Sequence, residues 1–160
     1  MPKAQALTKR QQRAAETAEQ LLAAAREVFE ERGYVATTVG LITQRAATAH
    51  GTFYLHFRNK QDAFEKVMAQ VADDLYRESN VPHGDDPFEV LEASILGYLR
   101  VYSQHRGLWR CLLEGLHQNA GVEDLWVRLR RPFFERVERN LEHLAGCGHC
   151  LLYTSDAADE

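Results

Sequence analysis

Cysteine, proline and long apolar runs are all scarce in this chain. Only three cysteines and four prolines occur among its 160 residues, and Cys111 lies far from Cys147 and Cys150. No disulfide framework can be drawn from that spacing, so a packed core must hold the fold. No stretch is both long and apolar enough to span a bilayer. The N-terminus is polar and basic and lacks the apolar run of a secretory leader, which makes the cytoplasm the expected compartment. Strand-like alternation is missing too. Paired carboxylates, a nucleophile beside a base, and a phosphate-cradling glycine loop are all absent at usable spacing, so neither enzymatic activity nor a cofactor is expected.

What remains is helical. The chain is 45% apolar and 26% charged, with apolar residues recurring at helical period, enough to bury a core in an all-α protein of one or two domains. Its net charge of −4 hides an asymmetry. Residues 1–60 hold nine Lys/Arg against five Glu, a balance of +4, which leaves −8 for the remainder. A basic first third joined to an acidic rest points to one part that meets phosphate and another that does not. Oppositely biased solvated helix faces are the plainer alternative.

Residues 1–13, with Lys3, Lys9, Arg10 and Arg13 and no acid, read as a flexible basic arm. It could lie along phosphates or a minor groove, or serve only as a solubilising tail. From Ala14, Ala18, Leu21, Leu22, Ala25, Val28 and Phe29 form one apolar stripe that Gly33 ends. Thr37 or Thr38 caps the next helix, with Val39, Leu41 and Ile42 inward. Asn59 caps a long helix from Lys60 to Ser79 that buries Phe64, Val67, Met68, Val71 and Leu75 and joins two domains, with Asp62 as a short stand-in for the capping-box acid. A loop over 80–87 precedes three further helices, at about 88–104, 107–117 and 122–144. Pro132 should bend or break the last.

Residues 37–60 therefore read as two short helices, a tight link and the start of a third, which is a helix-turn-helix. Such a unit holds its second helix proud of the protein so that its first side chains enter a major groove. DNA is the leading partner.

Gly33-Tyr34, Thr37-Thr38-Val39, Ile42, Ala46, Gly51-Thr52-Phe53-Tyr54, His56-Phe57 and Lys60 stand in the order and spacing of the TetR family of bacterial transcriptional regulators, and residues 15–75 resemble that family. The resemblance implies an N-terminal three-helix DNA-binding head (14–60) and a C-terminal helical domain (61–149) that binds a small molecule and dimerises. It places a recognition helix over 48–57, with His50, Gly51 and Thr52 toward base edges and Tyr54 and His56 on phosphates. Phe53 and Phe57 would pack beneath, and Lys60 would hold a further phosphate. Thr37, Thr38, Thr48, Lys9 and Arg10 complete the expected DNA-contact set. Ala47, Thr48 and Ala49 depart from the family's usual glycine, apolar residue and serine; Thr48 is expected to take over the capping. Gly40 inside the first helix of the pair is unusual and costs about 1 kcal/mol relative to alanine.

By the same analogy Tyr98, Tyr102, Trp109, Leu112, Leu113, Trp126, Leu129 and Phe133 surround an effector cavity for an apolar or aromatic ligand. Glu114, His117 and Arg110 are the polar candidates there. Helical core is the competing reading of these residues. The implied function is a ligand-responsive repressor that binds a palindromic operator as a homodimer. A helical small-molecule-binding protein or enzyme without DNA binding is the alternative.

Cys147-Gly148-His149-Cys150, with His143, imitates a redox or metal motif. It follows a helix, whereas a redox pair of this kind sits between a strand and a helix, and no closed set of four metal ligands accompanies it. No metal site is expected. Residues 150–160 resemble the translation of a sequencing-library adapter and are expected to be foreign to the natural chain. The dimerisation helices would then be missing here, leaving a fragment that binds DNA weakly or folds poorly and a parent that dimerises.

Overall fold

The structure is a computed structural model and describes residues 8–80, 87–116 and 120–146. Among the described residues there are seven helices and no strand, an all-α fold: α1 (Lys9–Ala36), α2 (Val39–Arg45), α3 (His50–Tyr54), α4 (Lys60–Ser79), α5 (Pro87–Gln104), α6 (Arg106–Leu116) and α7 (Ala120–Gly146). Lys3, His117, the Cys147–Cys150 motif and the adapter-like tail lie outside the described residues.

α1 begins earlier than its apolar stripe. The Gln11 amide donates to Thr8 Oγ1 at 3.3 Å and the Thr8 amide donates back to Gln11 Oε1 at 2.9 Å, a reciprocal cap that starts the helix at Lys9. Lys9, Arg10 and Arg13 accordingly sit exposed on helical turns rather than in a free arm. At its other end the helical conformation breaks at Gly33, as expected, with φ 80° and ψ 173°, and α1 resumes across this kink to Ala36. Thr37 Oγ1 donates to the Gly33 carbonyl at 2.6 Å and closes the kink from below.

Thr38 caps α2, its Oγ1 accepting from the Leu41 amide at 3.2 Å. Asn59 Oδ1 accepts from the Asp62 amide at 2.8 Å and starts α4 as expected, while Asp62 reaches back to the Arg58 amide at 2.9 Å. Pro132 lies inside α7, which runs through as one helix to Gly146, so of the expected bend or break the break does not occur. One backbone donor is lost at Pro132. Burial of Val122 and Leu125 on the N-terminal side and of Arg136 on the C-terminal side holds both halves of the helix against the bundle.

A single hydrophobic cluster runs through the molecule. Phe29, Tyr34 and Phe64 meet ring to ring, at 4.9 Å for Phe29–Phe64 and 5.0 Å for Tyr34–Phe64. The same cluster takes in Ile42 and Phe53 from the head and Leu108, Cys111, Leu112 and Val122 from beyond it. α1 packs more extensively on α6 than on any other helix, so residue 60 marks no gap in the packing. Cys111 Sγ donates to the Phe29 carbonyl at 2.9 Å, and burial pushes its thiol up to about 12, which keeps it protonated as a donor. Arg26 reaches the Nδ1 of His105 at 2.7 Å, and burial together with that guanidinium holds the imidazole below its ordinary range, in the neutral form that accepts.

Gly40 is exposed in α2, and a Cβ there would find only Thr38 Oγ1, at 3.8 Å. Gly40→Ala should therefore stabilise the chain by about 0.5–1 kcal/mol, read as a higher urea midpoint at unchanged slope. A lower midpoint would mean that α2 needs the glycine backbone.

Candidate nucleic-acid interface

Three ties hold α2 and the turn after it on α1. Gln20 Nε2 donates to the Ala46 carbonyl at 2.9 Å. Arg45 binds Glu31 through both terminal nitrogens, at 2.9 and 2.6 Å, and Glu27 at 2.8 Å. That guanidinium holds the Glu31 carboxyl below its usual range, and the Arg45 charge is committed to α1 rather than to phosphate. Ala47 turns the chain with φ 49°, the one positive φ at a non-glycine residue among those described. Alanine tolerates this left-handed conformation at a cost of roughly 1–2 kcal/mol, which glycine would avoid.

α3 is shorter than the recognition helix expected over 48–57. Ala49, not Thr48, is its N-cap, and Ala49 has no side chain to bond the first amides. The Thr48 hydroxyl is buried without a hydrogen-bond partner among the described residues, so Thr48 neither caps α3 nor reaches outward. Thr37 is buried as well, its hydroxyl turned to the Gly33 carbonyl. Of these two expected contact residues, Thr37 is buried and Thr48 half-buried, each with its hydroxyl away from solvent. Thr38 stays exposed at the start of α2.

The inner side of α3 carries the anchors the sequence named. Phe53 and Phe57 are buried with ring centroids 5.2 Å apart. Outward stand His50, Gly51 and Tyr54, with Thr52 and His56 half-buried beside them. Edge contacts at 5.6 Å to His50 and 5.5 Å to Phe53 steady the Tyr54 ring, which is 53% exposed. A Cβ on Gly51 would meet nothing within 4 Å, so backbone is laid bare at the centre of this face.

Lys60, the further phosphate contact the resemblance implies, is turned toward α1 in this structure. Its Nζ donates to the Tyr34 carbonyl at 2.8 Å and lies 4.6 Å from the centre of the Tyr34 ring. Partial burial lowers its pKa. The ammonium thus neutralises the carbonyl end of α1, where the helix dipole is negative, and staples α4 to it. Sequence reasoning missed two outward residues, Leu55 and Arg58. Leu55 is the most exposed large hydrophobic residue among those described, and Arg58 follows two positions after His56. A cation so close to the expected phosphate contacts was a signal available in the sequence.

In the effector region the structure joins Tyr98, Tyr102, Trp109, Trp126 and Phe133 through successive ring contacts. Leu113 does not join them; it is exposed. Leu112 belongs to the core, and Leu129 packs against it. Glu114 and Arg110 turn toward α1: Glu114 Oε2 accepts from the Tyr34 amide at 3.0 Å, and Arg110 donates to the Glu30 carbonyl at 3.3 Å. They link α6 to the kink of α1 instead of lining a cavity.

Among the described residues no helix is long and apolar enough to cross a membrane. Residues 21–67 match the family model described as bacterial regulatory proteins, tetR family. The chain is 28% identical over 126 residues to the HTH-type transcriptional regulator YvdT of Bacillus subtilis, covering 76% of this chain and 63% of that protein. It is 26% identical over 144 residues to the HTH-type transcriptional regulator AcrR of Shigella flexneri, covering 84% and 67%. It thus spans about two thirds of the length of these relatives. A TetR-family regulator from Syntrophomonas wolfei superposes with a TM-score of 0.73 at 19% identity, over 86% of this chain and 72% of that one. The fatty acid degradation regulator FadR from Bacillus halodurans superposes with a TM-score of 0.69 at 23% identity, over 84% and 72%. With the helix-turn-helix geometry, the matched head segment and these relatives in agreement, residues 21–67 form a head of the TetR family of bacterial regulatory proteins, and the chain as a whole is similar to regulators that carry it.

Proposed function

We propose that this chain carries the DNA-binding and effector-sensing helices of a cytoplasmic transcriptional repressor. The parent protein binds a palindromic operator as a homodimer, and a small molecule in the C-terminal helices releases it. The observation that carries this reading is the outer face of α3, where His50, Gly51 and Tyr54 stand exposed on a base that Phe53, Phe57 and Gln20 hold rigid. Thr52 and His56 flank them, and the exposed Lys9, Arg10 and Thr38 supply further groups for phosphate. One head grips a half-site, and two joined heads match the symmetry of a palindrome.

Effector control follows from the joint between α1 and α6. Cys111, Arg110 and Glu114 on α6 bond to Phe29, Glu30 and Tyr34 on α1, so a ligand that shifts α6 moves the base on which α2 and α3 stand. It shifts the equilibrium only as far as its affinities for the two arrangements differ.

Fluorescence anisotropy against the gene's own upstream DNA, with excess unrelated DNA as competitor, tests the reading. Sequence-preferring, salt-sensitive binding is expected. Gly51→Glu should weaken it at least about tenfold, because a carboxylate is then set against phosphate at the centre of the face. The thermal midpoint should not fall, since the new side chain enters open space. Absence of salt-sensitive binding in the dimeric parent as well would favour a helical small-molecule-binding protein or enzyme instead. Full binding by the variant would move the reading face off α3.

A further inference from the structure

Arg136 on α7 is buried, with 7% of its surface exposed, and has no carboxylate partner among the described residues. Its Nη2 donates to Ser79 Oγ at 2.6 Å and its Nη1 to the Tyr76 carbonyl at 3.3 Å, both at the end of α4. The guanidinium has more N–H donors than these two oxygens accept. Glu135, its neighbour in sequence, pairs with Arg131 at 2.7 Å, and Glu78, beside Ser79, lies 3.7 Å from Arg100. Burying an unpaired charge is unfavourable, and α4 could be capped as well by a smaller donor.

The surroundings show what such a charge could serve. The Phe133 ring lies 5.6 Å from the guanidinium and 5.2 Å from the Tyr98 ring. Tyr98 stacks on Tyr102 at 6.4 Å, Tyr102 stacks on Trp109 at 5.4 Å, and Trp109 meets Trp126 at 6.3 Å. α5 and α7 both pack on α4 and meet through Tyr98 and Phe133, so this ladder of rings runs from the cation along their junction. Its edge is open at Tyr102, which is exposed, and at Tyr98 and Phe133, which are half-buried. Farther along, the indole Nε1 of Trp109 is buried with no hydrogen-bond partner among the described residues. A buried cation at one end, stacked rings between, and an unpaired donor beyond describe a site for an acidic aromatic molecule.

We propose that the effector is an organic acid whose carboxylate binds Arg136 and whose aromatic body lies along Phe133, Tyr98 and Tyr102. This rests on the effector-binding reading above and changes its chemistry, because the sequence pointed only to an apolar or aromatic ligand. Arginine suits the task, since its planar fork matches both oxygens of a carboxylate and guanidinium stacks on rings.

Calorimetric titration of the full 160-residue chain at neutral pH with naphthalene carboxylate and with naphthalene carboxamide, its uncharged match, tests the proposal without any substitution. The acid should bind at least about tenfold more tightly than the amide, as a charge-assisted pair would give. In Arg136→Gln, which keeps a donor for Ser79, the two should bind about equally; Arg136→Lys should keep part of the preference. Equal affinities in the unaltered chain, binding of neither compound, or a preference that survives in Arg136→Gln would each overturn the proposal. A lower thermal midpoint for Arg136→Gln without acid preference in the unaltered chain would make Arg136 a cap of α4 only. Absence of the acid site beside intact DNA binding by the dimeric parent would overturn this inference alone, whereas absent DNA binding by that parent would overturn the regulator reading.

Discussion

Phe29→Ala should lower the free energy of unfolding by about 3–5 kcal/mol, a large share of the roughly 5–15 kcal/mol that a domain possesses. Phe29 is fully buried and makes an edge contact with Phe64 at 4.9 Å while lying parallel to Tyr34 at 6.0 Å. Its carbonyl accepts the Cys111 thiol, so the residue stands where α1, α4 and α6 meet. Removing the ring opens a void that none of the three helices can close without parting from the other two, which places the expected loss in the upper part of the range. Urea unfolding followed by circular dichroism gives the number. A loss below about 1.5 kcal/mol, the size of a tolerated core swap, would show that the three helices repack freely at this point.

Gly33→Ala should destabilise by about 2–4 kcal/mol, combining the strain of a backbone conformation that is essentially glycine's own with a lost hydrogen bond. The φ of 80° with ψ of 173° lies outside every region that an L side chain occupies comfortably. The new methyl would also fall on the carboxylate of Glu114, which fills the space and accepts from the Tyr34 amide. Steric and torsional parts can be separated. In a Glu114→Ala background the methyl meets no carboxylate, so Gly33→Ala should cost less there, and the pair should be non-additive by at least about 0.5 kcal/mol. Simple additivity would place the carboxylate away from Gly33 and dissolve the link between α6 and the α1 kink.

Much of this architecture was legible in local pattern. The stripe Ala18, Leu21, Leu22, Ala25, Val28 and Phe29, the cap at Asn59, and the α4 face of Phe64, Val67, Met68, Val71 and Leu75 are periodic or chemically marked, and the structure buries each of those apolar residues except Ala18 and Leu22, which are half-buried. Periodicity reports a face, because a helix repeats every 3.6 residues whatever it packs against. The family resemblance, and not periodicity, told the buried pair Phe53 and Phe57 from the outward His50, Gly51 and Tyr54.

Hydroxyls and cations could not be placed in that way. Nothing local in the sequence marks the Thr37 and Thr48 hydroxyls as turned from solvent, or the Lys60 ammonium as lying on the Tyr34 carbonyl. A short polar or long flexible side chain has several partners within reach, and the backbone of another helix decides among them.

From its own order of residues the chain determined that it is helical, where most helices start and stop, which faces are apolar, and that its head is a helix-turn-helix of the TetR family. Only the tertiary structure decided that α1 is shared between the head and α6, that Glu114 sits in the space left by Gly33, and that Arg136 is buried beside a run of rings. Capping and periodicity act within a few neighbouring residues and leave their trace in sequence. The first two results join residues 80 or more positions apart, and the burial of Arg136 depends on Ser79, 57 positions away; such pairs meet only when the helices pack.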